Sequence, residues 1–371
     1  MKKDKDVILI LNKSFSEEGG VTNYYKIFFR KFRDIRFELK YFIIGSRSEN
    51  STSKKEISYI YYYLKDLFKF LLLLIKDKKI KIIQINPSLI PIPLIRDAIF
   101  LYFSVIFRKK IITFFHGWKQ EIKVAIDMNN LFKKILRWTY SKSSKIIVLA
   151  KDFKKDLIEW GFKKEKIIVS KMMFDRSNFK LKLYSRENNI PWLLYLGRIQ
   201  NIKGIFEIIQ ALSIIKKDGY QFKMIFAGNP VDRDTIKNLK LHVKELGIDD
   251  FCHFENYVSG TKKEKILNEA DIFVFPSYTE GCPTSVLEAM ASGLFIISTD
   301  VGALREIIQD KRNGFLVKVR DPLDLAEKLK IALNDLKLVR KIGANNRKEA
   351  LRQYEADLII GQIKEIYNEL I

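Results

Sequence analysis

The sequence predicts an α/β protein built from two doubly wound, Rossmann-like parallel-sheet domains. Three observations predict it. Short runs rich in Ile, Val, Leu and Phe alternate with longer stretches of helical period along the 371 residues. These runs are apolar throughout rather than at every second position, which marks strands covered on both faces. The pattern lapses between about 175 and 190, at Asp175-Arg176-Ser177-Asn178 and Ser185-Arg186-Glu187-Asn188-Asn189, and then restarts. That lapse is the linker candidate. It divides the chain into a first domain over 1–180 and a second over 181–354, with a closing helix over 355–371 expected to pack back on the first domain.

The first strand, 7–11, runs into a polar turn ending in Gly19-Gly20, and a helix follows over 21–32. A glycine pair at a strand-to-helix turn lets backbone N–H groups face a ligand, or it is a plain tight turn. A strand over 38–44, a polar loop over 46–55 and a helix over 60–76 come next. A strand over 81–85 and a helix over 92–107 lead to Arg108-Lys109-Lys110, then to a strand over 111–115 that ends in His116-Gly117. Ligands of open α/β sheets bind at the C-terminal ends of strands, so His116, one of three histidines, is a site candidate as well as a candidate structural histidine. A helical stretch over 124–140, a strand over 145–149, a helix over 153–160 and a strand over 166–169 complete this half.

The second half opens with a strand over 193–196 that ends in Gly197-Arg198, and Lys203-Gly204 leads into a helix over 205–216. Strands over 222–227 and 251–254 and helices over 232–246 and 262–268 follow. The strand Ile272-Phe273-Val274-Phe275 then stops at Pro276, and a polar loop carries Glu280 and Gly281. Pro283 is expected at the first helical position, where its missing N–H costs nothing, and Gly293 ends that helix. Strand, short loop and helix start together form an anion site, with the N–H groups of Thr284, Ser285 and Val286 aimed at a phosphate. Glu280 and Glu288 would repel an anion there, so their expected partners are sugar and ribose hydroxyls. Arg198 and Lys203 are placed to neutralise a diphosphate, or they are two solvated cations in a basic protein. Strands over 295–298 and 314–317 and helices over 323–333, 338–354 and 358–370 close the chain.

With 47% apolar and 13% aromatic residues the chain can fill large cores. Cys252 and Cys282 have no ligand-like spacing, which argues against a disulfide framework or a zinc site and fits a reducing compartment. A formal charge of +23 implies attraction to something anionic, or reflects a Lys-rich composition. Residues 1–6 run straight into the first strand, so no signal peptide is expected, and neither 57–75 nor 99–107 reads as a membrane span. The expectation is a cytoplasmic protein, soluble or peripheral on the membrane.

The second half resembles the retaining glycosyltransferases of family 4, which have the GT-B fold of two such domains facing each other across a cleft. The resemblance is carried by Leu196-Gly197-Arg198 with Lys203-Gly204, by Phe226-Ala227-Gly228, by Tyr257-Val258, and by 270–293 with its Glu280-x7-Glu288 spacing. Thr299-Asp300-Val301-Gly302-Ala303 and 313–317 continue it, and Gly19-Gly20 and His116-Gly117 match loosely. The resemblance implies an acceptor-binding first domain and a nucleotide-sugar-binding second domain. It implies that Arg198, Lys203, Ser285 and Val286 hold the donor diphosphate, with Gly19 and Gly20 closing on it. Glu280, Gly281, Cys282, Pro283 and Thr284 would meet the donor sugar, Glu288 the ribose, and Tyr257 and Val258 the base. His116 would sit beside the sugar as donor or acceptor, with Glu280 and His116 as the catalytic pair. No metal or other cofactor is expected, since no Asp-x-Asp motif ends an early strand.

The implied activity is transfer of a sugar from a nucleotide sugar, a UDP-sugar favoured, to a lipid-linked or oligosaccharide acceptor in bacterial surface polysaccharide synthesis. An anionic inner-membrane surface is the expected further partner. A nucleotide-sugar epimerase of the same architecture is the alternative. Charge alone suggests a non-enzymatic nucleic-acid binder, which no helix-turn-helix, RNA-recognition or zinc signature supports, so no nucleic-acid partner is expected.

Overall fold

A computed structural model describes residues 5–16, 19–44, 55–179 and 190–371, with the side chains of 55–60 and 233 outside that set. The chain divides into two units, Met1–Met172 with Ala356–Ile371, and Met173–Glu355. The first break falls at 172/173, so 173–179 group with the second unit and not with the first as expected. Phe174 explains part of this. It is buried, its N–H donates to the Tyr354 carbonyl at 3.1 Å, and it bridges to Glu355. The rest of the linker candidate, 180–189, and all of the loop expected over 46–55 except Lys55, which begins a helix, lie outside the described residues.

The first unit is a six-stranded parallel sheet. Its strands are β1 (Asp6–Asn12), β2 (Phe37–Ile43), β3 (Ile80–Ile85), β4 (Lys110–Phe114), β5 (Lys145–Val148) and β6 (Ile167–Val169), in spatial order β2-β1-β3-β4-β5-β6. Val7 to Leu11 are almost wholly buried, as an apolar run flanked by strands and covered by helices must be. The connecting helices are α1 (Gly20–Lys31), α2 (Lys55–Lys76), α3 (Pro91–Ile106), α4 (Gln120–Met128), α5 (Asn130–Tyr140) and α6 (Lys151–Glu159). Every connection after β2 steps the same way across the sheet, so the right-handed rule puts α2 to α6 on one face and α1 on the other.

Where one helix is expected over 124–140, two are found. Asn129 is extended (φ −114°, ψ 94°) and its side chain accepts from the Phe132 N–H at 2.9 Å. Asn gains more by capping a new helix than by continuing the old one.

The second unit repeats the plan with β7 (Trp192–Leu196), β8 (Lys223–Ala227), β9 (Cys252–Glu255), β10 (Ile272–Phe275), β11 (Phe295–Thr299) and β12 (Gly314–Val317). The order is β12-β11-β10-β7-β8-β9, all parallel. Its helices are α7 (Ile205–Lys217), α8 (Arg233–Glu245), α9 (Gly260–Glu269), α10 (Thr284–Ala291), α11 (Leu304–Ile307), α12 (Pro322–Asn334) and α13 (Leu336–Tyr354). The chain leaves β7 toward β8 and β9, then returns to lay β10 on the other side of β7. The strand order therefore reverses between β7 and β10, and beyond the C-terminal ends of strands at such a reversal is where open α/β sheets bind their ligands.

The last helix, α14 (Ala356–Leu370), belongs to the first unit. It packs on α1, burying Ile359, Ile363 and Tyr367. Lys31 pairs with Asp357 at 3.0 Å and Lys145 with Glu369 at 2.9 Å.

Candidate active site

In the second unit the loops after β7 and β10 interlock. Gly204 has φ +74°, and a Cβ on it would lie 2.2 Å from the Pro276 carbonyl oxygen, so only glycine allows this approach. Tyr278 N–H donates to the Ile202 carbonyl at 2.9 Å. The result is that Lys203, on the first loop, reaches Glu280 on the second, and its Nζ pairs with Oε1 of that carboxylate. Both side chains are mostly buried, at 19% and 9% exposure, which weakens screening by water.

Two further groups surround this pair. Tyr195 is buried in β7, stacks on Phe275 and donates its hydroxyl to the Arg198 carbonyl at 2.7 Å. Burial pushes that hydroxyl well above its ordinary range; the Glu280 charge adds to the rise and the Arg198 charge opposes it. Arg198 itself is exposed. On the far side, Ala303 N–H donates to the Gly281 carbonyl at 3.0 Å. Gly302, at φ +55°, would put a Cβ 1.9 Å from the Glu280 carbonyl oxygen. The loop carrying Glu280 is thus gripped between the β7 and β11 turns.

Pro283 is the N-cap of α10 rather than its first helical residue, with φ −73° and ψ 117°. Extended ψ at this proline swings the chain out of the loop before the helix begins. No side chain caps α10 and no acidic residue lies in its first turn. The start of the helix, at Thr284, Ser285 and Val286, therefore keeps its dipole uncompensated at the switch point between β7 and β10. Glu288, one turn in, is paired with Lys263 Nζ of α9 at 2.7 Å. Lys263 cancels the charge that would otherwise oppose an anion there. Sequence reasoning missed it, because nothing in the order of residues says that a side chain of α9 reaches one of α10. Tyr257 is exposed and its N–H donates to Asn229 Oδ1 at 3.1 Å, while Val258 is buried. Asn229 lies in the loop just after β8 and was also missed.

In the first unit Gly19 has φ +148° and precedes α1 with no side-chain cap, and a Cβ there would meet nothing within 4 Å. His116 follows β4 by two residues. It is buried, stacked on Phe114 at 3.8 Å, with Nε2 3.1 Å from Tyr25 Oη. The surrounding network settles its tautomer. Asn86 Nδ2 donates to the Leu11 carbonyl at 2.8 Å, which turns Oδ1 toward Tyr25. The single Tyr25 proton goes to that Oδ1 at 2.5 Å. Tyr367 of α14 donates to Gln84 Oε1 at 2.7 Å, and Gln84 Nε2 donates to Tyr25 Oη at 2.6 Å. Tyr25 then has only a lone pair left for His116, so His116 carries its proton on Nε2. Nδ1 is a bare acceptor, buried and without a partner. Burial also lowers the imidazole to about 3, which keeps it neutral. Among the described residues no group of three or more His, Cys, Asp or Glu stands together in a way that could hold a metal ion.

Residues 178–349 match the profile described as glycosyl transferases group 1. That segment is similar to members of the family.

The group 1 match covers nearly all of the second unit, and the residues just described lie inside it except those of the first unit. The capsular polysaccharide biosynthesis glycosyltransferase CapM of Staphylococcus aureus is 28% identical over 254 residues, 67% of this chain and 61% of that protein. The chain thus spans less than two thirds of that relative's own length. The N,N'-diacetylbacillosaminyl-diphospho-undecaprenol alpha-1,3-N-acetylgalactosaminyltransferase of Campylobacter jejuni is 37% identical over 107 residues, 29% of this chain and 28% of its own. Among solved structures, Anabaena Alr3699/HepE in complex with UDP and glucose superposes with a TM-score of 0.75 at 18% identity, covering 97% of this chain and 99% of its own. The fold is that of the GT-B glycosyltransferases, two α/β domains each built on a six-stranded parallel sheet.

Proposed function

We propose that this chain is a glycosyltransferase that moves a sugar, with retention of anomeric configuration, from a nucleotide sugar to a hydroxyl of a lipid-linked or oligosaccharide acceptor. The observation that carries the reading is the Lys203–Glu280 pair, set beside Arg198 and the uncapped start of α10. One side of this arrangement suits the phosphates and the other a sugar hydroxyl.

In the proposed reaction the bond from the anomeric carbon to the diphosphate oxygen breaks, and the leaving nucleoside diphosphate takes both electrons. Arg198, Lys203 and the N–H groups at Ser285 and Val286 meet the growing charge, with little reorganisation because Lys203 is already held by Glu280 and the N–H groups by α10. The positive charge comes from the protein, so the transfer is proposed to need no metal ion. The acceptor hydroxyl attacks the same face of the sugar and passes its proton to a donor phosphate oxygen. Glu280 and the backbone from Gly281 to Thr284 orient the sugar. Glu288, held by Lys263, receives the ribose hydroxyls, and Tyr257 and Val258 flank the base. In the first unit the neutral His116, its Nδ1 without a partner, is kept as a candidate hydrogen-bond acceptor.

A UDP-sugar is the favoured donor, supported by the UDP complex of the Anabaena structure. Surface polysaccharide assembly is supported by the name of the staphylococcal relative, and a polyprenyl-diphosphate-linked acceptor by the undecaprenol in that of the Campylobacter relative. Such an acceptor sits in the inner membrane, which calls for peripheral association with its cytoplasmic leaflet. The charge of +23 suits that, and among the described residues no helix is long and apolar enough to cross a membrane. Incubation with UDP-sugars and polyprenyl-diphosphate-linked sugars, followed by mass spectrometry and NMR of the anomeric proton, tests the proposal. It expects an acceptor heavier by one sugar, with the donor's configuration kept. Conversion of the donor without any acceptor would make the chain an epimerase instead.

A further inference from the structure

We propose that the outer face of α2, α3 and α5 in the first unit is a docking surface for an anionic lipid bilayer. The three helices lie side by side on one face of the sheet, with α3 touching both neighbours. Their inward faces cover the strands in the ordinary way. Their outward faces depart from it.

In α5, Phe132 and Leu136 face inward with Tyr140. A second apolar stripe, Leu131, Ile135 and Trp138, repeats at i, i+4 and i+7 on the solvent side, and Trp138 is 64% exposed. An ordinary surface helix carries one such stripe, not two. In α3 the outward positions are Ile92, Ile95 and Ile106, with Ile95 63% exposed. The only charges of α3 are Arg96 and Asp97, which pair with each other at 2.7 Å, Asp97 being fully buried. In α2, Leu64 and Phe68 are exposed along the same side. Exposed apolar residues grouped over three adjacent helices mark an interaction surface rather than scatter.

Charge identifies the partner. Lys65, Lys69 and Lys76 stand exposed along α2, and Lys134 and Arg137 along α5. They flank the uncharged outer side of α3. The carboxylates among the described side chains of the three helices are Asp66 and Asp97, and both are buried. The face is therefore apolar in the middle and cationic on its two sides, with no exposed negative charge among the described residues. Two copies of it would repel each other, which argues against self-association. A bilayer with anionic headgroups satisfies both features at once. Trp138, Tyr102 and Lys142 add an anchor. The two rings lie 5.3 Å apart, and the Lys142 ammonium sits 4.9 Å above Trp138, an aromatic and cationic cluster of the kind that settles at headgroup depth. The surface gives the first unit a way to meet a lipid-borne acceptor. Its purpose rests on the transfer reading, but its evidence does not.

The test is co-sedimentation of the full chain with vesicles of phosphatidylcholine alone, or with about one third phosphatidylglycerol. Wild type is expected to partition at least about tenfold more strongly onto the anionic vesicles. Lys69→Glu with Lys134→Glu should lower that partition by about an order of magnitude or more, at roughly fivefold for each cation lost. Ile95→Ser with Trp138→Ser should lower it at high salt as well, because the apolar contribution is not screened. All four side chains project from the surface, so both variants are expected to stay folded, with unchanged nucleotide binding by the second unit. Equal partition onto neutral and anionic vesicles overturns the proposal, as do variants that bind like wild type. A concentration-dependent dimer dissolved by these substitutions would overturn it in favour of a second copy. If nucleotide binding fails while vesicle binding stands, the transfer reading falls alone.

Discussion

Glu280 and Lys203 hold each other in place, 77 positions apart in the chain, at the junction of two loops. The proposed roles differ, one toward the sugar and one toward the diphosphate, but the pair makes each depend on the other. Glu280→Ala, Lys203→Ala and Arg198→Ala should each cut turnover by about ten to ten thousand fold with the fold intact. Arg198 is exposed, so its loss should leave stability unchanged. Lys203→Met leaves a mostly buried carboxylate without its partner and should cost about 1–3 kcal/mol in denaturant melts. Near-normal rates in all three alanine variants would refute the site. His116 gives a second residue-scale prediction. Its imidazole is held at about 3 in the fold, against about 6.5 in the unfolded chain. Between those values the unfolded state binds a proton that the folded state refuses. Stability contributed by neutral His116 is therefore full above about pH 6.5 and is lost as pH falls toward 3, at up to about 1.4 kcal/mol per pH unit. His116→Asn should flatten the pH dependence of stability between pH 6 and 4 by that one proton. Equal slopes for the two proteins would contradict the burial argument.

The strands were legible because burial on both faces leaves little but Ile, Val, Leu and Phe, and the loops between them carry Gly, Pro and charge. All twelve appear within a residue or two of where the sequence places them, from Asp6–Asn12 to Gly314–Val317. Helix interruptions were less legible. The break at Asn129 leaves the apolar period of 124–140 undisturbed, so periodicity alone runs through it. Asn129→Ala should cost about 1 kcal/mol through the lost cap on the Phe132 N–H. Pairings across elements were not legible at all. Lys263 meets Glu288 only because the fold brings α9 within a side chain's reach of α10. The Tyr25, Gln84 and Tyr367 chain joins α1, β3 and α14 across most of the sequence. Gly302 stands in a recognisable motif, but its reason, the approach to the Glu280 carbonyl, exists only where the two turns meet in space. Gly302→Ala should displace that loop and weaken nucleotide binding several-fold, with a cost of about 1–3 kcal/mol. Unchanged binding would mean that the loop is not held from β11.

For the molecule as a whole, the alternation of elements showed two units and the lapse after 175 showed roughly where they part. The strand order, with its reversal between β7 and β10, was not readable, and it is that reversal which brings residues from 198 to 288 to one end of a sheet. The last helix shows how the first unit depends on the far end of the chain. Tyr367 is fully buried against Gln84, and Ile359 and Ile363 are buried with it. A chain stopped at Glu355 should lose the cooperative melting of the first unit and expose an apolar face, seen as aggregation during expression.

Arg198, Lys203 and the start of α10 are proposed above all to bind a nucleoside diphosphate in the second unit. Calorimetric titration of wild type and of Arg198→Ala with UDP, GDP and ADP tests it most directly. The expected result is saturable binding of one of the three, UDP favoured, weakened at least about tenfold in the variant. Absence of binding for all three, or equal affinity in the two proteins, would contradict it.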